Sequence, residues 1–140
     1  MAAPAYPKMY LYRRVVQAKL FIDANFASPI DVTNISGEAA FSRFHFIRLF
    51  SKIYGQTPGR YLASVRIEKA RQLLAGGMPV GAACLAVGFE SHGSFSSLFK
   101  RITGKTPAAF RQESIELRRE INANPLAHIP GCFAAANGWK

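Results

Sequence analysis

One stretch of this chain is written twice. Leu49-Phe50-Ser51-Lys52-Ile53-Tyr54-Gly55-Gln56-Thr57-Pro58-Gly59-Arg60-Tyr61 returns 49 residues later as Leu98-Phe99-Lys100-Arg101-Ile102-Thr103-Gly104-Lys105-Thr106-Pro107-Ala108-Ala109-Phe110. Each copy holds a helix stop followed at once by a helix start. Glycine tolerates the left-handed conformation that closes a helix. Threonine then caps a new helix whose first position is proline, where the missing N–H costs nothing. A chain punctuated this way at two places predicts two similar helical modules. Two copies are too few for a stacked solenoid, which needs at least three.

Apolar spacing fills in the helices around those marks. Leu11, Val15, Ala18, Ile22 and Phe26 recur at three- and four-residue steps, predicting a helix over 10–26 that Ser28-Pro29 stops. Residues 1–8 hold two prolines and no period, and read as a loose lead-in. Asp31 is the expected cap of a short second helix with Val32, Ile35 and Ala39 inward, followed by a tight turn at Ala40-Phe41. Ser42 caps a third helix, with Phe46, Leu49, Phe50 and Ile53 inward and Phe44, Ile47, Arg48 and Ser51 outward. A long fourth helix runs from Thr57-Pro58 to Gly76-Gly77. The second copy repeats the scheme: a short helix over 80–87, a Gly88-Phe89 turn, and a helix over 91–103 with Phe95, Leu98, Phe99 and Ile102 inward. A last helix starts at Thr106-Pro107. No strand pattern is visible. The expected architecture is all-α, with seven helices in two helix-turn-helix subdomains joined by a long linker helix. The predicted divisions are lead-in 1–8, first subdomain 9–56, linker helix 57–77, second subdomain 78–122 and an irregular tail over 123–140.

Charge bears on partners, not on fold. The formal net charge is +10 on 140 residues, with a pI near 10.1. It is concentrated in the duplicated part: residues 112–140 sum to zero, with Arg118, Arg119 and Lys140 against Glu113, Glu116 and Glu120. Such a balance points to nucleic acid or an anionic membrane surface. No stretch approaches the ~20 apolar residues of a membrane span, and the first residues lack the pattern of a signal peptide. Cys84 and Cys132 sit in no metal-ligand spacing and read as reduced thiols. The acids are scattered, and no nucleophile–base arrangement suggests catalysis. The expectation is therefore a cytoplasmic non-enzyme with no metal and no cofactor.

A short helix, a tight turn and a second helix with a basic or polar outer face form a helix-turn-helix. The major groove is about 12 Å wide and admits one α-helix, while the preceding helix braces it across the backbone. The turn favours a residue with positive φ. Gly88 meets that need; Ala40, at the matching place in the first copy, does not.

The residues that carry a resemblance can now be collected. Gly88-Phe89-Glu90-Ser91, Phe95, Phe99-Lys100, Gly104, Thr106-Pro107 and Phe110-Arg111 resemble the signature of AraC/XylS-type transcription regulators. Phe41-Ser42, His45-Phe46, Arg48-Leu49-Phe50, Gly55, Thr57-Pro58 and Tyr61-Leu62 are similar to that family's first module, and Arg66 to Leu74 to its linker helix. The resemblance covers about residues 10–112. Ala40 in the first turn, Pro79 at a capping position and the small Ala83 depart from the pattern. The resemblance implies sequence-specific binding of double-stranded DNA, usually by a transcription activator that touches RNA polymerase. The family often carries a sensor domain beside this module; the 140 residues leave no room for one, so a stand-alone member or a fragment is expected.

The family's base-reading positions fall on Arg43, Phe44, Ile47 and Arg48 in the first recognition helix and on His92, Gly93, Ser96 and Ser97 in the second. Arg48 can pair in a fork with guanine O6 and N7, and Phe44 and Ile47 can touch thymine methyls; for those two, core packing or a protein contact is the alternative. The small, weakly polar second face is expected to position on phosphates or read shape. His45 reads as a packed structural histidine. Phosphate contacts are expected from Lys52, Lys100, Arg101, Lys105 and Arg111, and from backbone amides at the helix starts near Ser42, Thr57, Ser91 and Thr106. The implied function is transcription regulation, with activation expected, by a monomer on an asymmetric site. Its two helices would meet major-groove faces about 34 Å apart on straight DNA. A DNA-binding output fragment of a larger ligand-sensing regulator, and a protein- or RNA-interaction adaptor, are the alternatives. The apolar run Ile129-Pro130-Gly131-Cys132-Phe133 could dock on a partner.

Overall fold

The computed structural model describes residues 5–31 and 42–128, with the side chains of residues 5–8, 127 and 128 left aside. The described residues form six α-helices and one short 3-10 helix: α1 (Ala5–Asn25), α2 (Arg43–Tyr54), α3 (Pro58–Ala75), α4 (Val80–Ala86), α5 (His92–Thr103), α6 (Pro107–Ala123) and the 3-10 turn Pro125–His128. No strand occurs among the described residues. The expected short helix with Val32, Ile35 and Ala39, the turn at Ala40-Phe41, and the run from Ile129 lie outside them.

Each boundary has a local cause. The hydroxyls of Ser42, Thr57, Ser91 and Thr106 accept from the backbone N–H of His45, Arg60, Ser94 and Ala109, at 3.2, 3.2, 3.3 and 3.1 Å. These bonds satisfy N–H groups that a helix start leaves without partners. Gly55 and Gly104 close α2 and α5 at φ of 76° and 86°, each donating its N–H four residues back. Pro58 and Pro107 stand first in α3 and α6 and are buried. The helix α4 has no such help: Pro79 precedes it with no side-chain cap. Packing of Ala83 and Cys84 holds it instead. Burial raises the Cys84 thiol pKa.

Two corrections concern extent and facing. The lead-in is shorter than expected, because α1 already begins at Ala5. Pro7 lies within its first turn, where N–H groups have no intrahelical partner to lose. Helical spacing predicts Ile53 and Ile102 inward, but they are 40% and 48% exposed. Both sit on the last turn of a short helix, beyond the edge of the core. In the first copy the rings of Tyr54 and Tyr61 pack against Phe50, with centroids 4.8 and 5.8 Å away.

There are two cores, and one helix serves both. Val15, Ala18, Ile22, Phe46, Phe50 and Leu62 bury together as the first head. Ile67, Ala70, Leu74, Ala83, Cys84, Val87, Phe95 and Phe99 bury as the second. The linker α3 thus gives Leu62 to one core and Ile67, Ala70 and Leu74 to the other. Phe26 packs against both. The duplication extends to ring geometry. Phe46–Phe50 and Phe95–Phe99 have centroids 5.7 and 5.8 Å apart, and Phe50–Tyr61 and Phe99–Phe110 meet edge-on at 5.8 and 5.7 Å. Such tilted pairs are the preferred arrangement of aromatic quadrupoles.

Candidate nucleic-acid interface

The two capped helices α2 and α5 expose the same positions. Residues 42–50 and 91–99 carry an identical sequence of burial: four exposed residues, a buried Phe, a half-buried residue, an exposed one, a half-buried Leu and a buried Phe. Both helices are therefore seated on their cores at the same rotation, with their first turns open to solvent. That is the posture a helix needs if its N-terminal residues are to reach base edges.

What the two faces offer differs. On α2, Arg43 and Arg48 are exposed, and neither side chain has a hydrogen-bond or ion-pair partner among the described residues. Phe44 is 78% exposed, the most exposed of the large apolar side chains described. That removes the core-packing alternative for it. Ile47 is half-buried against the first core, so packing accounts for part of its side chain. His45 is exposed in the first turn of α2. On α5, His92 and Ser97 are exposed and Ser96 is half-buried. The Ser96 hydroxyl lies 3.4 Å from His92 Nδ1. Gly93 presents backbone only, with nothing but the Ser91 hydroxyl within 4 Å of an added Cβ.

The cations nominated for phosphate divide into three groups. Lys52, Lys100 and Arg101 lie exposed in the last turns of α2 and α5 without a side-chain partner among the described residues. Lys105 is exposed but ion-paired with Glu113. Arg111 is placed differently from expectation. Its Nε donates to Gly77 O at 3.2 Å and Met78 O at 3.0 Å, and its Nη2 donates to Gly77 O at 3.1 Å. With Arg118, which donates to the carbonyls of Ala75 and Gly76, it covers the C-terminal end of α3. Helix ends leave carbonyls without partners and carry partial negative charge, so cations belong there. Arg111 is thus a clamp between α6 and the linker. The seven-residue spacing of Arg111 and Arg118 on one helix face was the available signal.

A second clamp went unforeseen. Tyr61 Oη donates to Asp23 Oδ1 at 2.6 Å, and Lys19 Nζ pairs with Asp23 Oδ2 at 2.7 Å. Burial, with the Asp23 bond, raises the Tyr61 pKa; the Asp23 bond raises that of Lys19. This ties α1 to the start of the linker. Among the described residues no group of three His, Cys, Asp or Glu side chains could hold a metal, and no helix is long and apolar enough to cross a membrane.

Two capped helices with matching open faces are carried on one shared linker, and the second follows α4 and a turn with Gly88 at positive φ, as in a helix-turn-helix. A family model described as a helix-turn-helix domain matches residues 35–113. The chain belongs to the AraC/XylS-type helix-turn-helix family. Among curated relatives it is 33% identical over 105 residues to the bifunctional transcriptional activator/DNA repair enzyme AdaA of Bacillus subtilis, covering 74% of this chain and 49% of that protein. It is 35% identical over 99 residues to a putative AraC-like transcription regulator of Streptomyces antibioticus, covering 70% of this chain and 33% of that one. The chain thus spans half or less of the length of these relatives. Among solved structures, the DNA-binding domain of AdpA in complex with a target DNA matches 76% of this chain and 96% of its own, with a TM-score of 0.72 and 25% identity. A probable AraC family regulator from Rhodopseudomonas palustris matches 73% of this chain and 97% of its own, with a TM-score of 0.66 and 27% identity.

Proposed function

We propose that this protein binds double-stranded DNA with sequence preference and regulates transcription, one monomer occupying one asymmetric site through α2 and α5. The observation that carries the reading is the matched exposure of residues 42–50 and 91–99 on two capped helices. The likeness to a domain solved on its target DNA supports it. The net charge of +10 supplies the attraction to phosphate that such binding needs. In this reading Arg43, Phe44, Ile47 and Arg48 read bases. His92, Gly93, Ser96 and Ser97 bring the second helix close to the groove floor with little side-chain readout. Lys52, Lys100 and Arg101 hold phosphates. The amides behind Ser42, Thr57, Ser91 and Thr106 offer further anion contacts at helix starts. Activation through contact with RNA polymerase belongs to the same proposal. The use of this module as the output part of a longer regulator would engage the same two faces.

Arg48→Ala is the test. The side chain is exposed and has no partner among the described residues, so its removal leaves stability within about 0.5 kcal/mol. Loss of a forked guanine contact costs about 1–3 kcal/mol and relaxes preference at that position. Selection from randomised duplexes, run on wild type and variant, reads this directly. Unchanged base preference in the variant refutes the role of Arg48. Stronger capture of structured RNA than of any duplex refutes the DNA reading itself.

A further inference from the structure

The two heads are joined by more than the linker helix. The loop that follows α1 belongs to the first head, and the turn between α4 and α5 belongs to the second. They touch at Gly88. A Cβ placed on Gly88 would lie 2.8 Å from the carbonyl oxygen of Ala27 and 3.1 Å from its C and Cα atoms. The other described glycines with positive φ, Gly55, Gly77 and Gly104, have nothing within 4 Å of such an atom. Gly88, at φ +92°, therefore answers two demands: the conformation of the turn, and the close approach of a backbone from the other head.

Arg66 closes the same junction from the linker. Its Nε donates to Phe26 O at 2.6 Å and its Nη2 to Ser28 O at 2.8 Å, one carbonyl on each side of Ala27. Its guanidinium carbon lies 5.8 Å from the centroid of the Phe89 ring, the residue after Gly88. Phe26 itself packs against both cores. One arginine thus binds the loop of the first head through two carbonyls and touches the turn of the second. Gly88 stands three residues before Ser91, the cap of α5, so any movement of the turn moves the second reading helix.

We propose that Gly88 and Arg66 are positioning residues that fix the separation at which the two reading helices meet DNA, and so select the spacing between half-sites. The inference rests on the two-headed reading above. A side chain at 88 must open the junction by at least ~0.6 Å to bring 2.8 Å to an ordinary contact of 3.4 Å. A shift of that size falls short of the roughly 3.4 Å between successive base pairs. The signature is therefore a flatter dependence on spacing, not a new optimum.

The experiment uses the full chain and three duplexes: the selected site, and the same site with one base pair removed from or added to its centre. Affinity is read by fluorescence anisotropy, with thermal unfolding run in parallel. Gly88→Asn keeps a residue that tolerates positive φ better than most and adds the Cβ. Wild type is expected to lose at least about tenfold in affinity on either altered duplex, and Gly88→Asn to vary less than about threefold across all three. Should Gly88→Asn unfold, Arg66→Met is measured by the same criterion, since it leaves Gly88 intact and removes both carbonyl bonds. A folded variant that keeps the wild-type spacing penalty overturns the inference and leaves the two-headed reading standing. A wild type indifferent to spacing overturns both.

Discussion

Arg111 gives the sharpest contrast between two physical roles. The sequence reading expects a cation on phosphate; the structure puts its guanidinium on the carbonyls of Gly77 and Met78, at 3.0 to 3.2 Å. Removing it with Arg111→Ala leaves those carbonyls without their charged donor. Hydrogen bonds to charged groups contribute about 1.5–3 kcal/mol net, and partial access to water favours the lower half of that range. For a chain of this size each kcal/mol shifts the midpoint by roughly 3–5 °C, so a fall of about 5–10 °C is expected. A phosphate contact predicts something else: an unchanged melting point, and a salt slope smaller in magnitude by about 0.9. Between 50 and 200 mM salt that is a drop in affinity about 3.5-fold smaller. Circular dichroism melts and anisotropy titrations at several salt concentrations separate the two. An unaltered Tm with a slope reduced by about one unit refutes the clamp. Lys100→Gln serves as the opposite control. Its side chain is exposed with no partner among the described residues, so its slope should fall and its Tm should hold.

Two further outcomes follow from the same geometry. Lys52, Lys100 and Arg101 alone imply a slope of at least about −2.7, so binding should weaken by at least ~40-fold between 50 and 200 mM salt; a flat titration would remove the phosphate assignments. Tyr61→Phe should cost about 0.5–1.5 kcal/mol in urea unfolding, by losing the bond to Asp23. It should also flatten the alkaline limb of stability. Tyr61 and Lys19 both have folded pKa values raised above their usual 10.0 and 10.5. The stability they add is present in full below those values and is lost as pH climbs through the folded ones. A variant whose alkaline fall matches wild type would show that Tyr61 does not titrate in this way.

What could be read from residues alone was local. Gly55, Gly104, Thr57-Pro58 and Thr106-Pro107 encode stops and starts within a turn of themselves, and the structure uses them as such. The Phe46/Phe50 and Phe95/Phe99 pairs announce their inward faces by four-residue spacing. What escaped was non-local. Arg66 reaches carbonyls 38 and 40 residues away, and Arg111 and Arg118 reach back 33 to 43 residues to the end of the linker. A basic residue on an outer helix face looks the same in sequence whether it meets a phosphate or a buried helix end. Gly88 was legible as a turn glycine, but its contact with Ala27 depends on how two heads are packed. Ile53 and Ile102 show the limit of periodicity: a helix can outrun the core beneath it.

The duplication separates scaffold from reading surface. Two ring pairs in each head match in their separations to within 0.1 Å. The exposed positions between those rings are not under the same constraint, because they contribute little to either core. They have diverged in one direction. Arg43, Phe44, Ile47 and Arg48 give the first head long side chains, of the kinds that can contact base edges in a groove. His92, Gly93, Ser96 and Ser97 give the second almost none, while Lys100 stands where the first head has Ser51. In the proposed reading this divides the work. The first head carries base preference, and the second adds electrostatic grip at a fixed distance. A weakly discriminating second head improves selectivity only if that distance is enforced; otherwise it binds any neighbouring phosphates equally well. In that reading, the junction at Phe26, Ala27, Arg66 and Gly88 is what lets a helix with few base contacts contribute to recognition at all.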